Sequence, residues 1–356
     1  MTDRRDRMTP IERGAAYARG AEIDRLPCVP IVGNTAARVI GVKVSEFRGN
    51  GPLIAKAQIA AYRKFGYDNI RIFTDLYTQA EAMGATVFYP EDETAYLQKP
   101  AISDERDIHR LKPADPKSDG NLPQFLEAMK ITFEEVGGEV PVTGALTGPF
   151  TNASFLIGAE RLARLTIQNP AAVHALCELS LESNLRYAEA ILDIGCAPSL
   201  TDPMSSGTVI SRNNFEAFSL PYLKRLISYI HGRGKFVTLH ICGKTGKIWD
   251  LMADAGADCL SIDNEASLAD AKQSVGRRVR LMGNVRPSEI MLEGSTEDVA
   301  RAVRECVKQA HDSPKGFVVA SGCSLPTETP FENIRAMLDS VREIGYPVNI
   351  GQLFAA

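Results

Sequence analysis

The 356-residue sequence has no apolar run approaching the ~18 residues that a membrane-spanning helix needs, so no transmembrane segment is expected. Its first residues, MTDRRDRMTPIERG, lack the apolar core of a signal peptide, and the expected location is the cytoplasm. Runs of like charge are missing too. Forty Lys and Arg stand against 44 Asp and Glu, leaving a net charge of -4 with no long-range attraction for phosphate backbones, so nucleic acid is not an expected partner. The seven cysteines are an odd number in an acidic chain without a signal peptide, which argues for reduced thiols rather than a disulfide framework. Low-complexity tracts, internal repeats and Pro/Gly/Ser linkers are also absent, so residues 1–356 are expected to form a single domain.

What is present is an ordinary globular composition, 44% hydrophobic and 24% charged, able to fill a large core. From the middle onward, short runs rich in Val, Ile and Leu alternate with amphipathic helical stretches, the pattern of repeated βα units around a parallel sheet. Strands are expected at 27–32, 69–73, 140–146, 198–202, 235–240, 259–263, 279–283 and 316–321. Helices are expected at 170–191, 213–231, 246–255, 296–311 and 330–343, the first capped by Asn169 with Pro170 behind it. A helix and turn over 8–26 and a hairpin over 85–98 decorate the N-terminal part, and 112–120 reads as an exposed loop. Eight strands with intervening helices make an α/β protein, a single (β/α)8 TIM barrel with N-terminal helical decoration.

The most informative segment is Lys235-Phe-Val-Thr-Leu-His240-Ile-Cys242-Gly243. Residues two apart on an extended chain project to one face, so a strand ending in His-x-Cys aims an imidazole and a thiol in the same direction. In a barrel this pair falls on the C-terminal rim, where catalytic groups gather. The last expected strand runs straight into Gly322-Cys323, which puts a second thiol on the same rim although it lies 81 residues further on. His240, Cys242 and Cys323 suit Zn²⁺, and three protein ligands leave a fourth position open, the arrangement of catalytic zinc. The competing reading is a satisfied strand-end histidine and two small buried hydrophobes. Cys28, Cys177, Cys196, Cys259 and Cys306 lie within apolar strands or helices and are read as core packing.

Other polar groups fall on the same rim. Asp202 follows the fourth strand, Asp263 ends the sixth, Asn284 follows the seventh and Asp75 lies past the second. Acids at strand ends in a barrel are candidate catalytic or ligand-orienting groups, with capping of the following helix as the alternative. Glu81, on the short helix after Asp75, reads equally as a solvated helical acid.

Several segments, in order, carry a family resemblance: Thr9-Pro-Ile-Glu-Arg13 with Asp24-Arg-Leu-Pro27, Glu81-Ala-Met-Gly-Ala85, Thr147-Gly-Pro-Phe-Thr151, Asp202-Pro203 with Ser206, Leu239-His-Ile-Cys-Gly243, Gly283-Asn-Val285, and Gly322-Cys323 followed by Thr329-Pro-Phe-Glu-Asn333. Over almost its whole length the chain resembles the uroporphyrinogen decarboxylase superfamily and, within it, the coenzyme M methyltransferase branch that demethylates corrinoid proteins. The resemblance implies a (β/α)8 barrel with zinc on His240, Cys242 and Cys323; with the rim placement, Asp263, Asp202 and Glu81 are the candidate catalytic residues and Asn284 and Ser206 the candidate cofactor-binding residues. It implies methyl transfer between a corrinoid and either a thiol or, in the opposite direction, a methylated ether or amine. Porphyrin decarboxylation is not expected, because the stretch Val32-Gly-Asn-Thr-Ala-Ala-Arg38 lacks the arginine cluster of the decarboxylases. No corrinoid-binding module is expected in this sequence: Asp107-Ile-His109 has the Asp-x-His form of a corrinoid-ligand motif, but Lys112 stands where that motif has glycine. The corrinoid is therefore expected on a separate protein. A zinc hydrolase with Asp263 as general base, or a tetrapyrrole-binding protein without turnover, are the other readings; oligomeric state is not legible.

Overall fold

The computed structural model describes residues 6–353. Its ten strands are β1 (Cys28–Val29), β2 (Ile70–Ile72), β3 (Thr86–Phe88), β4 (Tyr96–Lys99), β5 (Val142–Thr147), β6 (Ala197–Thr201), β7 (Thr238–His240), β8 (Cys259–Ser261), β9 (Arg280–Val285) and β10 (Phe317–Ser321). Eight of them form one all-parallel sheet in the order β1-β10-β9-β8-β7-β6-β5-β2, and β3 and β4 pair as the separate antiparallel hairpin. Parallel neighbours need crossovers, and helices supply them, so the fold is α/β with a curled eight-stranded sheet.

Side-chain alternation sorts the strands into two faces. Leu200, Leu239, Leu260 and Leu281 stand side by side in register, each fully buried, and belong to the main core between sheet and helices. One residue along, Thr201, His240, Ser261 and Met282 form the adjacent register row, which by the two-residue period points to the concave interior. Thus the sequence period that hides leucine also presents His240 inward.

The two end strands, β1 and β2, approach each other. Asp68 N–H donates to the Cys28 carbonyl at 2.9 Å, Cys28 N–H donates to Asp68 Oδ2 at 2.7 Å, and Asn34 Nδ2 donates to the Thr74 carbonyl at 3.0 Å. A buried ionic network tightens this seam. Arg13 and Arg25, both fully buried, each pair with Asp68; Arg13 also holds Asp24 at 2.7 Å, and Arg25 holds Asp6 at 2.6 Å, which in turn takes Arg342 of the last helix at 3.0 Å. The N-terminal helix Pro10–Ala18 that delivers Arg13 begins with a capping box between Thr9 and Glu12.

Three differences from the sequence reading have local causes. The helix expected over 213–231 is two helices, Arg212–Phe218 and Leu220–Gly232, because Pro221 has no N–H to continue the ladder. The helices Gly51–Phe65 and Leu122–Val136 are additions; Gly51–Phe65 is buried on several sides, with Ala55, Ala57 and Ala61 in the core, and so shows no clean apolar stripe. Several strands are shorter than expected, the first only Cys28–Val29 and the fifth of the sheet's eight only Thr238–His240. The cap at Asn169 is present, its side chain accepting from Ala172 N–H at 3.3 Å. Among the described residues no helix is long and apolar enough to cross a membrane.

Candidate metal centre

His240 ends β7, Cys242 follows two residues later, and Cys323 stands just past the end of β10. The ligand atoms of these three residues all lie within 4.8 Å of one another. His240 Nε2 is 3.1 Å from Cys242 Sγ, and the two Sγ atoms are 3.9 Å apart. Zinc–sulfur bonds of about 2.3 Å in a tetrahedron separate two sulfurs by about 3.8 Å, so the pair of thiols is spaced for one ion without rearrangement.

The imidazole is oriented from behind. His240 Nδ1 lies 3.0 Å from Ser261 Oγ and 3.2 Å from the Ser261 carbonyl. A carbonyl can only accept, so Nδ1 carries the hydrogen and Nε2 keeps its lone pair toward the thiols. The thiols share a proton unequally. A hydrogen bond from Cys242, assisted by the Ser324 N–H, holds Cys323 far below the ordinary thiol range, while Cys242, donor in that bond and half-buried beside Cys323 and Asp263, is pushed up. A cation replaces that proton naturally, since both sulfurs are then thiolates. The other five cysteines are buried, and burial pushes the Cys306 thiol, for example, up to about 11.

Two glycines allow the ligand loops to close on their supports. Gly243 has φ +75°, and a Cβ there would lie 2.7 Å from Thr208 Oγ1 and 3.2 Å from Ser206 Oγ. A Cβ on Gly322 would meet the Asn264 backbone nitrogen at 2.7 Å. Ser206 therefore sits against the loop that follows Cys242, its Oγ accepting from Thr208 N–H at 3.2 Å. Asn284 fastens the loop after β8: its Nδ2 donates to the carbonyls of Asp263 at 2.9 Å and Ala266 at 2.7 Å. Asp263 itself is buried near Cys242, and its Oδ1 accepts from Glu265 N–H at 2.8 Å.

The remaining acids are placed differently. The triad opens on a cavity of about 180 Å³ whose wall includes Asp75, Tyr77, Thr94 and Ala95, but none of Asp202, Glu81, Asp263, Asn284 and Ser206. Asp202 is fully enclosed, accepting from Thr151 N–H at 2.9 Å, Ser205 Oγ at 2.7 Å and Ser219 Oγ at 3.1 Å. Burial pushes its carboxyl up against those donors. Glu81 accepts from Asn121 Nδ2 at 3.0 Å and hydrogen-bonds Tyr89. His109 is exposed on a short helical turn, with Nδ1 2.8 Å from the Arg106 carbonyl.

The residue that sequence reasoning missed is Arg71. It projects from the middle of β2 into the cavity, hydrogen-bonds Thr201 Oγ1 and stacks on Phe73 at 5.1 Å. Its signal was available: strands of a parallel sheet covered on both faces read as near-continuous apolar runs, and a charge in the middle of Asn69-Ile-Arg-Ile-Phe73 breaks that rule.

Known proteins agree with this architecture. The chain is 28% identical over 332 residues to the methylcobamide:CoM methyltransferase MtaA of Methanosarcina barkeri, covering 91% of this chain and 94% of that protein. It is 29% identical over 306 residues to the uroporphyrinogen decarboxylase of Nitrosococcus oceani, covering 83% of each chain. A solved structure, a methyltransferase from Methanosarcina mazei, superposes with a TM-score of 0.86 at 27% identity over 95% of this chain and 99% of that one. The uroporphyrinogen decarboxylase (URO-D) family model matches residues 9–344, and the chain belongs to that family.

Proposed function

We propose that the chain is a zinc-dependent methyltransferase that moves a methyl group between a corrinoid, brought by a separate protein, and a thiol or a methylated small molecule. The observation that carries this reading is the convergence of one imidazole and two thiols on a cavity wall at the sheet's C-terminal edge. The methylcobamide:CoM methyltransferases among its relatives support it from the side of sequence. We place the site in a closed, single-domain (β/α)8 barrel in the cytoplasm; the hydrogen bonds between Asp68 and Cys28 and from Asn34 to Thr74 support closure.

Three protein ligands suit a catalytic rather than a structural zinc. When bound, zinc supplies Lewis-acid polarisation at its open position, lowering the pKa of a thiol or easing departure of an ether oxygen or amine nitrogen. Ser261 fixes the His240 tautomer, and Arg71 sets a positive charge against the two thiolates. Asp263 is the acid we place in the reaction, as an orienting group or proton acceptor; Asn284 and Ser206 hold its loop and that of Cys242. Asp202 anchors the chain between β6 and the helix Pro149–Ile157.

A single-turnover assay with methylcobalamin and a panel of thiols, followed by loss of the Co–CH₃ absorption band, tests the reading. Free methylcobalamin should serve slowly and a cognate corrinoid protein faster. If no corrinoid, as donor or acceptor, changes the rate of any reaction of the enzyme, the reading fails, and a zinc hydrolase with Asp263 as base becomes the better account. Asp263→Asn keeps an oxygen for the Glu265 N–H while removing the charge. It should lower turnover roughly 10- to 100-fold with little change in melting temperature; a melting loss that accounts for the whole effect would reassign Asp263 to the loop alone.

A further inference from the structure

Two cavities meet at the triad. Beneath the site cavity a second one, about 400 Å³, occupies the concave interior of the sheet and reaches the exposed Pro141 and Phe236, just before β5 and β7, and Ala18 at the end of the N-terminal helix. Ile31, Arg71 and His240 line both. A barrel interior is ordinarily filled by layers of bulky branched side chains. Here inward positions carry Thr143, Ser199, Thr238 and Ser261, which are too small to fill it. The space falls in the range of about 300–1,000 Å³ typical of small-molecule sites.

The chamber's walls include the apolar side chains of Val29, Phe236, Met282 and Val318, and Arg71 stands where it adjoins the site cavity. That guanidinium donates to neutral oxygens, Thr201 Oγ1 and the Ser199 carbonyl at 3.4 Å, and its buried Nε has no hydrogen-bond partner. Burial pushes it down to about 10, and the charges that act against this are the triad thiols. Asp68, the acid on the wall, is already engaged by Arg13 and Arg25. A second cation stands at the entrance, where Arg280 lies 5.4 Å from the rings of both Tyr17 and Phe236.

We propose that this chamber holds the small methyl donor or acceptor, that the molecule is mainly apolar and carries a carboxylate, and that Arg71 binds the carboxylate beside the triad. The inference rests on the methyltransferase reading for the identity of the reaction, but not for the binding. It leaves the C-terminal mouth to the corrinoid protein and gives the small substrate its own entry from the N-terminal side. Among the described residues the Arg71 guanidinium has no carboxylate partner and its buried Nε has no acceptor, and a bound carboxylate supplies both.

Calorimetric titration with 2-methoxybenzoate and its neutral isostere 2-methoxybenzamide tests the proposal without turnover. The wild type should prefer the anion by about 30-fold or more, the scale of losing one partner of a buried charge pair. Arg71→Met should abolish the preference, and Arg71→Lys, which keeps the charge and serves as the folding control, should retain part of it with zinc content unchanged. Ala18→Trp, at the N-terminal opening, should slow association of the anion. Equal affinity for the two probes in the wild type, binding of neither, or an unchanged preference in Arg71→Met overturns the proposal. Arg71-dependent binding in a protein that transfers no methyl group supports the chamber and overturns only the methyltransferase reading.

Discussion

Purified without added metal, the protein should carry about one zinc per chain, and His240→Ala, Cys242→Ala and Cys323→Ala should each lose most of it. Two thiols 3.9 Å apart with an imidazole 3.1 Å from one of them are already at the spacing one ion requires, so little of the binding energy is spent on rearrangement. Removing one of three ligands leaves a two-point site, and methyl transfer should fall by about three orders of magnitude or more if the zinc is catalytic. Ser261→Ala should act less severely, lowering zinc affinity roughly 10- to 100-fold, because the ring loses its orienting partner and not its donor. Elemental analysis after dialysis against a chelator reads both effects. Full zinc retention in His240→Ala and Cys242→Ala would sink the site. Since Cys242 and Cys323 are half-buried just past strand ends rather than in the core, circular dichroism should show that both cysteine variants remain folded.

The largest stability loss should come from the seam between β1 and β2. Asp68→Ala would take one of two carboxylate partners from each of two fully buried arginines and would remove the acceptor of Cys28 N–H. Breaking a buried ion pair from one side costs about 3–5 kcal/mol, and here one deletion takes a carboxylate from two cations at once, although Asp24 still holds Arg13 and Asp6 still holds Arg25. Asp6→Asn should cost less, because the Asp6 side chain is 20% exposed and water can replace part of what is lost. Denaturant unfolding followed by circular dichroism measures both; a cost for Asp68→Ala under about 1 kcal/mol would show that the network does not hold the sheet's ends together. The network also sets an acid limit. Burial alone would raise Asp6 and Asp24, but hydrogen bonds and charge from Arg25 and Arg342 in the first case and Arg13 in the second hold both below the ordinary aspartate value of 3.8. A carboxyl depressed by folding stabilises fully above its unfolded value and loses that contribution as the pH falls through its folded one. Stability should therefore drop below about pH 4, and less steeply in Asp6→Asn.

The convergence of His240, Cys242 and Cys323 could be read from the chain because these three candidate ligands obey local rules. His240 and Cys242 are two residues apart at a strand end, and Gly322-Cys323 terminates another strand, so period-two geometry and the polarity of parallel strands were enough to aim them at one rim. The alternation that buries Leu239 and Leu260 likewise announced the sheet, and Asn169-Pro170 announced a helix start. Glu81 lay on a helix and read as a solvated acid, while Asp202 and Asp263 were equivalent in sequence, two acids at strand ends. Only packing separated them, by closing Thr151, Ser205 and Ser219 around Asp202 and leaving Asp263 beside Cys242. Arg71 and Ser261 needed the tertiary structure for the same reason: what matters about each is a partner far along the chain, Thr201 for one and His240 for the other. Thr9-Pro-Ile-Glu-Arg13 and Asp24-Arg-Leu-Pro27 were recognisable as words in the sequence, but their meaning is the clasp they make around Asp68. Sequence thus determined which residues share a strand and a face, because backbone periodicity is local. Which faces meet, and which charges are left without a partner when they do, was decided by the curl of the sheet, which brings together residues as much as 336 positions apart.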